Sequence, residues 1–180
     1  TIPKCLGQLP VYYSQRPTGK KQFWRDTYLE VDLEPLYEFG FGKSYTSFEY
    51  QAIEMTLEKN AVNIEAEIAN IGNYDGEEVA QVYVRKKYTS LIQPERELKA
   101  FKRVFIEQDS KVKLKFEIKL SSLAYHDQQE RLVLEDCQLE IMLGASAQDI
   151  RAQKIFKLEF PGGKREFKQR TYTNLVQVIF

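Results

Sequence analysis

From Lys111 to Leu120 the chain reads Lys-Val-Lys-Leu-Lys-Phe-Glu-Ile-Lys-Leu, with an apolar residue at every second position. Successive side chains of an extended strand point to opposite faces, so Val112, Leu114, Phe116, Ile118 and Leu120 share one face and the charges share the other. A helix would scatter the same five residues around its circumference. The segment is therefore expected to be an antiparallel strand with one face buried and one in water.

The same period of two recurs along the chain. It appears in Ile53, Met55 and Leu57, in Val62, Ile64, Ala66 and Ile68, and in Ala80, Val82 and Val84. It returns in Leu98 to Ile106, in Leu139, Ile141 and Leu143, and in Phe156, Leu158 and Phe160. These runs lie between residues 48 and 160 and are separated by turn clusters such as Asn70-Ile71-Gly72-Asn73-Tyr74-Asp75-Gly76, where Gly and Asn tolerate positive φ. Seven short strands over about 110 residues predict an all-β, immunoglobulin-like β-sandwich.

The flanks differ in kind. Residues 1–46 carry Pro3, Pro10, Pro17 and Pro35, glycines at 7, 19, 40 and 42, and no sustained period, yet they are dense in aromatics: Tyr12, Tyr13, Phe23, Trp24, Tyr28, Tyr37, Phe39, Phe41 and Tyr45. Disordered linkers are poor in such side chains, so this arm must pack on the sandwich or on another domain. Pro161-Gly162-Gly163 should end the last sandwich strand, and a tail, residues 161–180, follows with strand-prone residues 171–180. The expected division is 1–46 arm and linker, 47–160 sandwich, 161–180 tail.

Hydrophobic residues make up 43% of the chain, enough for a core, and 26 basic residues balance 26 acidic ones. That balance gives no electrostatic reason to expect nucleic acid or a membrane surface as partner. Cys5 and Cys137 are the only cysteines and are expected to be free or buried thiols, without metal-ligand spacing. No run approaches the ~20 apolar residues of a transmembrane helix. A first residue of Thr1 suggests a chain cut from something longer.

Several residues invite a chemical role. Glu77 and Glu78 could supply paired carboxyls, but neighbours on a strand point apart, and solvated edge charges are the expectation. His126, the only histidine, lies beside Asp127, but no serine stands in a nucleophile-elbow context to pair with it. Trp24 with Arg25 and Asp26 could stack on a sugar; packing of the arm is the simpler use. Lys164, Arg165, Lys168 and Arg170 read as a solvated tail.

Three stretches resemble glycoside hydrolase family 3, the β-glucosidase and β-xylosidase family. Gly7-Gln8-Leu9-Pro10-Val11-Tyr12-Tyr13 with Arg16-Pro17-Thr18-Gly19 is similar to the last segment of the family's second α/β domain. Pro35-Leu36-Tyr37-Glu38-Phe39-Gly40-Phe41-Gly42 through Phe48 resembles its linker into the terminal domain. Ala69 to Val84, Pro94 to Val104 and Gly144-Ala145-Ser146 resemble its fibronectin-type-III-like domain, for which the resemblance implies a β-sandwich. The stretches Lys20 to Leu33 and Glu135-Asp136-Cys137-Gln138-Leu139 depart from the pattern, and the second departure implies a different turn there.

The resemblance implies a parent acting on terminal β-linked glucosyl or xylosyl residues with retention, through an aspartate and a glutamate in domains upstream. No catalytic, cofactor-binding or metal residue is assigned to this chain, and no cofactor is expected. The implied role is an accessory domain that stabilises the catalytic domains of a periplasmic or extracellular enzyme. The arm would dock to those domains or drive self-association. A carbohydrate-binding module and a cell-surface protein-interaction module are the alternatives.

Overall fold

The computed structural model describes residues 1–8, 12–17 and 34–179. Eleven strands are formed among them: β1 (Phe48–Leu57), β2 (Ala61–Asn70), β3 (Gly76–Lys87), β4 (Glu97–Ile106), β5 (Lys111–Lys119), β6 (Tyr125–His126), β7 (Leu132–Glu135), β8 (Cys137–Gly144), β9 (Ile150–Leu158), β10 (Lys164–Glu166) and β11 (Leu175–Ile179). The first sheet runs β1-β2-β5-β11 and the second β4-β3-β8-β9, with every pairing antiparallel. A small separate sheet, β10-β7-β6, is formed as well, and Leu134 of β7 is buried in the core that the two larger sheets share. The all-β sandwich is as the periodicity predicts, and each of the seven alternating runs falls on one of β1 to β5, β8 and β9.

Alternation decides which face each strand buries. Ile64, Ala66 and Ile68 of β2 and Leu114, Phe116 and Ile118 of β5 are fully buried in one cluster with Val82 and Val84 of β3 and Leu139, Ile141 and Leu143 of β8. Burying a side chain of that kind stabilises by roughly 1.5–3 kcal/mol. On the opposite face of β2 and β5, Lys111 pairs with Glu67 at 2.8 Å, and Lys113 and Lys115 pair with Glu65 at 2.8 and 3.0 Å. That face belongs to water.

Residues 161–180 do more than trail. β11 extends the first sheet beside β5, with Val176 and Val178 packed against the core. Asn174 fastens it to both sheets: its Oδ1 accepts from the Lys119 amide at 3.0 Å and its Nδ2 donates to the Lys99 carbonyl at 2.8 Å. At the divergent stretch 135–139, the chain passes from β7 to β8 through Asp136 alone. The Asp136 carboxylate accepts from the Phe160 amide at 2.7 Å and its own amide donates to the Gly163 carbonyl.

The Asn70–Gly76 turn is built differently from the expectation. Positive φ occurs elsewhere in the chain, not at these residues. Asn70 is buried, and its Oδ1 accepts from Thr46 Oγ1 at 2.6 Å and the Gly72 amide at 3.2 Å. Its Nδ2 donates to the Tyr74 and Ile106 carbonyls at 2.8 and 3.0 Å. The glycines are there for space: a Cβ on Gly72 would lie 2.7 Å from the Ser47 nitrogen, and one on Gly76 2.6 Å from Thr46 Cγ2. Asn70→Ala strands several buried polar groups at once, so it should lower unfolding free energy by about 2–3 kcal/mol in urea denaturation. Thr46→Ala should cost distinctly less.

Candidate functional site: the arm-docking face

The centre of the second sheet is buried on both sides. Ala80, Val82 and Val84 of β3 face the core, while Gln81 and Tyr83 face outward and are nonetheless buried. The arm covers them. Tyr13 stacks on Phe39 with ring centroids 4.0 Å apart at 16°, and meets Tyr83 edge-on at 5.9 Å. These rings form a second apolar cluster with Met142, Ala147, Leu98 and Ile150.

A polar clasp locks this contact. Gln81 Nε2 donates to the Gly40 carbonyl at 3.0 Å and to the Ala145 carbonyl, and Gln81 Oε1 accepts from the Tyr83 hydroxyl at 2.6 Å. The Ala147 amide donates to the Phe39 carbonyl at 2.9 Å, and Ser146 Oγ donates to Glu38 Oε1 at 2.6 Å. Further along the arm, the Glu95 amide donates to the Gln15 carbonyl at 2.8 Å. Gly40 sits at φ +80°, and a Cβ there would strike the Gln81 carboxamide and approach the Tyr83 hydroxyl to 2.9 Å. Burial pushes the Tyr83 hydroxyl well above the usual tyrosine range, so it stays a donor.

The residues singled out from sequence scatter. Glu77 is exposed and ion-pairs with Arg103, whereas Glu78 turns the other way and accepts from the Tyr50 hydroxyl at 2.8 Å across the sandwich. Solvated charge describes Glu77 but not Glu78, which is half-buried; that burial raises its carboxyl above the ordinary value of 4.5, against the Tyr50 hydrogen bond and the Arg151 charge. His126 is exposed on β6. Its neighbour Asp127 is engaged by Arg131 at 2.7 Å and Lys164 at 3.3 Å, and the Arg131 bonds hold its carboxyl well below the usual range. Cys5 is exposed and Cys137 buried, both as free thiols. Trp24, Arg25 and Asp26 lie outside the described residues.

One cluster escaped the sequence entirely. Lys86, its side chain 1% exposed, meets Glu97 at 3.0 Å, donates to the Leu123 carbonyl at 2.8 Å and sits 5.4 Å from the Tyr125 ring centroid. Lys99 reaches the same carboxylate at 3.3 Å. Burial lowers both ammonium groups; it raises Glu97 too, but the two lysines outweigh it and hold Glu97 below its ordinary range.

Comparison with known proteins gives this geometry a setting. Residues 78–147 match the model of the fibronectin type III-like domain. The chain carries the fibronectin type III-like domain of the family 3 glycoside hydrolases. A beta-xylosidase of Formosa agariphila is 34% identical over 82% of this chain and 21% of its own length. The periplasmic beta-glucosidase of Salmonella typhimurium is 27% identical over 88% of this chain and 22% of its own. The structure of a beta-glucosidase from Listeria innocua in complex with glucose superimposes with a TM-score of 0.76 at 31% identity, covering 87% of this chain and 23% of that one. The chain thus spans about a fifth of the length of these relatives.

In family terms, the stretches that carry the likeness in sequence meet in space. Tyr13, then Glu38, Phe39 and Gly40, close on Gln81 and Tyr83 and on Ala145, Ser146 and Ala147. The joint between these arm residues and the fibronectin type III-like domain is therefore a built site, and Gly40 is its tightest point. Gly40→Ala should open it: hydrogen exchange at the Ala147 amide should quicken about tenfold or more while the denaturant midpoint of the sandwich moves little. Unchanged exchange would show that Gly40 does not close the clasp.

Glu78 gives a second expectation. Its folded carboxyl holds its proton more tightly than the unfolded one, so its favourable contribution is present below pH 4.5 and is lost as pH rises through the raised folded value. Glu78→Gln should therefore stabilise the chain at pH 7, and the stability curves of variant and parent should converge near pH 4. Thermal melts across that range check it.

Proposed function

We propose that the chain is the non-catalytic C-terminal accessory portion of a family 3 glycosidase, joined by residues 1–46 to catalytic domains that it stabilises. The parent would hydrolyse terminal non-reducing β-D-glucosyl or xylosyl residues with retention, in the periplasm or outside the cell. Residues 47–160 are the fibronectin type III-like domain of this reading and residues 161–180 its C-terminal tail. The observation that supports it best is the clasp, because a linker seated by Gln81 and Tyr83 cannot swing freely and so transmits a fixed orientation to whatever precedes it.

The remaining face of the arm is suited to that contact. Ile2, Leu6, Tyr12, Leu36 and Tyr37 are exposed apolar residues, and Ile2 and Tyr37 are tied to each other by a backbone bridge, the Ile2 amide donating to the Tyr37 carbonyl at 2.7 Å. Exposed apolar side chains of this kind suit an interaction surface. In the isolated chain the same residues would bring two copies together, giving a concentration-dependent sedimentation coefficient that Leu6→Asp and Tyr12→Asp abolish.

Removing residues 34–179 from the parent enzyme should lower the melting temperature of its catalytic domains by several degrees, on the order of 1–2 kcal/mol of lost interface. The chain alone should leave p-nitrophenyl β-glucoside and β-xyloside intact. Catalytic domains that melt unchanged without this chain would sink the stabilising role, and turnover by the chain alone would sink its non-catalytic character.

A further inference from the structure

Beside the clasp the outer face of the second sheet opens into a groove of about 680 Å³, whose lining includes Phe41, Tyr45, Asp75, Glu77, Phe101 and Arg103. Its size falls within the range of small-ligand clefts. The aromatic rings are turned to solvent: Tyr45 is 97% exposed, Phe101 61% and Phe41 43%. Phe41 is braced from behind by Tyr37, with ring centroids 4.8 Å apart at 29°, which fixes the plane of a ring that would otherwise turn. Gly40 and Gln81 contribute to the wall, so the groove is shaped by the same contacts that seat the linker.

The polar part of the lining is charged and already oriented. Arg103 is held by Glu77, and Asp75 Oδ1 accepts from the Gln108 amide at 2.7 Å. A carboxylate offers about four acceptor positions and a guanidinium five donors, so both retain capacity toward a ligand. Flat apolar faces beside fixed carboxylate and guanidinium groups are what a neutral pyranose requires, because its axial C–H bonds present an apolar face and its equatorial hydroxyls both donate and accept. Other partners fit less well. The cores of protein interfaces are depleted of charged residues, whereas this lining carries both signs. Phosphate-bearing ligands would find Lys43 and Arg103, but would meet the carboxylates of Asp75, Glu77 and Glu78 with like charge.

We propose that this groove is a binding subsite for a neutral β-linked oligosaccharide, stacked on Tyr45 and Phe101 and hydrogen-bonded by Asp75, Glu77 and Arg103. The choice of β-linked glucose or xylose units rests on the glycosidase reading; the groove itself and its preference for a polyhydroxylated ring do not. The subsite would hold a chain end near the enzyme without acting on it.

Calorimetric titration of the full chain with cellotetraose and with xylotetraose tests this. Saturable binding is expected with one or both, and Tyr45→Ala and Phe101→Ala should each weaken it about tenfold, as truncation of an aromatic anchor does. Both side chains are exposed, so the variants should remain folded, which circular dichroism checks. Tyr172→Ala removes a ring 85% exposed in the tail and should leave the affinity unchanged. The proposal is overturned by the absence of saturable heat with either sugar up to about 10 mM. It is equally overturned by binding indifferent to Tyr45 and Phe101, or by binding that vanishes when the chain is joined to catalytic domains, which would assign the groove to a domain interface. Stabilisation of the parent enzyme is scored by melting without sugar, so each reading can fail while the other stands.

Discussion

β3 is buried on both faces, and the architecture follows from that. A strand in a two-layer sandwich needs one apolar face, and Ala80, Val82 and Val84 provide it. The outward residues of the same stretch, Gln81 and Tyr83, would ordinarily be solvated; here they are as inaccessible as the core. Burying a carboxamide and a phenol is costly unless their hydrogen bonds are met. Gly40, Ala145 and the Gln81–Tyr83 contact meet them, which obliges residues 38–40 of the arm and the β8–β9 loop to converge on one point. Tyr13 and residues 38–40 of the arm accordingly form a third layer over the centre of that sheet.

The two sheets consequently differ in their outward faces. The outer face of β2 and β5 is a ladder of lysines and glutamates whose pairs are largely exposed and contribute little individually. Their use is to keep that face wet and its neighbours apart. The outer face of β3 and β4 carries Phe101 and Phe105, 61% and 57% exposed, next to the covered centre. Charge on one side and aromatic surface on the other give the domain a front and a back, and the arm attaches at the front.

How much of this could be read from sequence divides along contact range. The seven sandwich strands were legible because alternation is a local signal, set by residues two apart and imposed by a single buried face. Gln81 was not, because within its own strand it reads as an ordinary polar residue, and only the return of Gly40, far away in sequence, buries it. The same holds for Lys86 and Glu97, two charges unremarkable on their strands that share one buried pocket. Asn70 and Gly72 read as turn residues in the sequence, but what the turn needs is a four-way hydrogen-bond hub and room for Thr46 and Ser47, not positive φ. Residues 171–180 read as strand-prone, and of these 175–179 form β11 while 171–174 do not; the partner, the free edge of β5, is not legible in the sequence.

The division of labour within the clasp follows from magnitudes. Each hydrogen bond of Gln81 contributes about 1 kcal/mol net, since water would serve the same groups in the open state. The stacked pair of Tyr13 and Phe39 adds about 1 kcal/mol beyond the area it buries against Tyr83, Met142 and Ile150. The rings therefore hold the arm down, while the carboxamide decides where. An apolar residue at position 81 would still attract the aromatics, but it would leave the Gly40 and Ala145 carbonyls unmet and let the linker settle in more than one register. A domain that fixed the direction in which a chain leaves it, as proposed above, would need the second property more than the first. That is reason enough for a buried glutamine in the middle of β3, where its neighbours from Val79 to Val84 are valine, alanine and tyrosine.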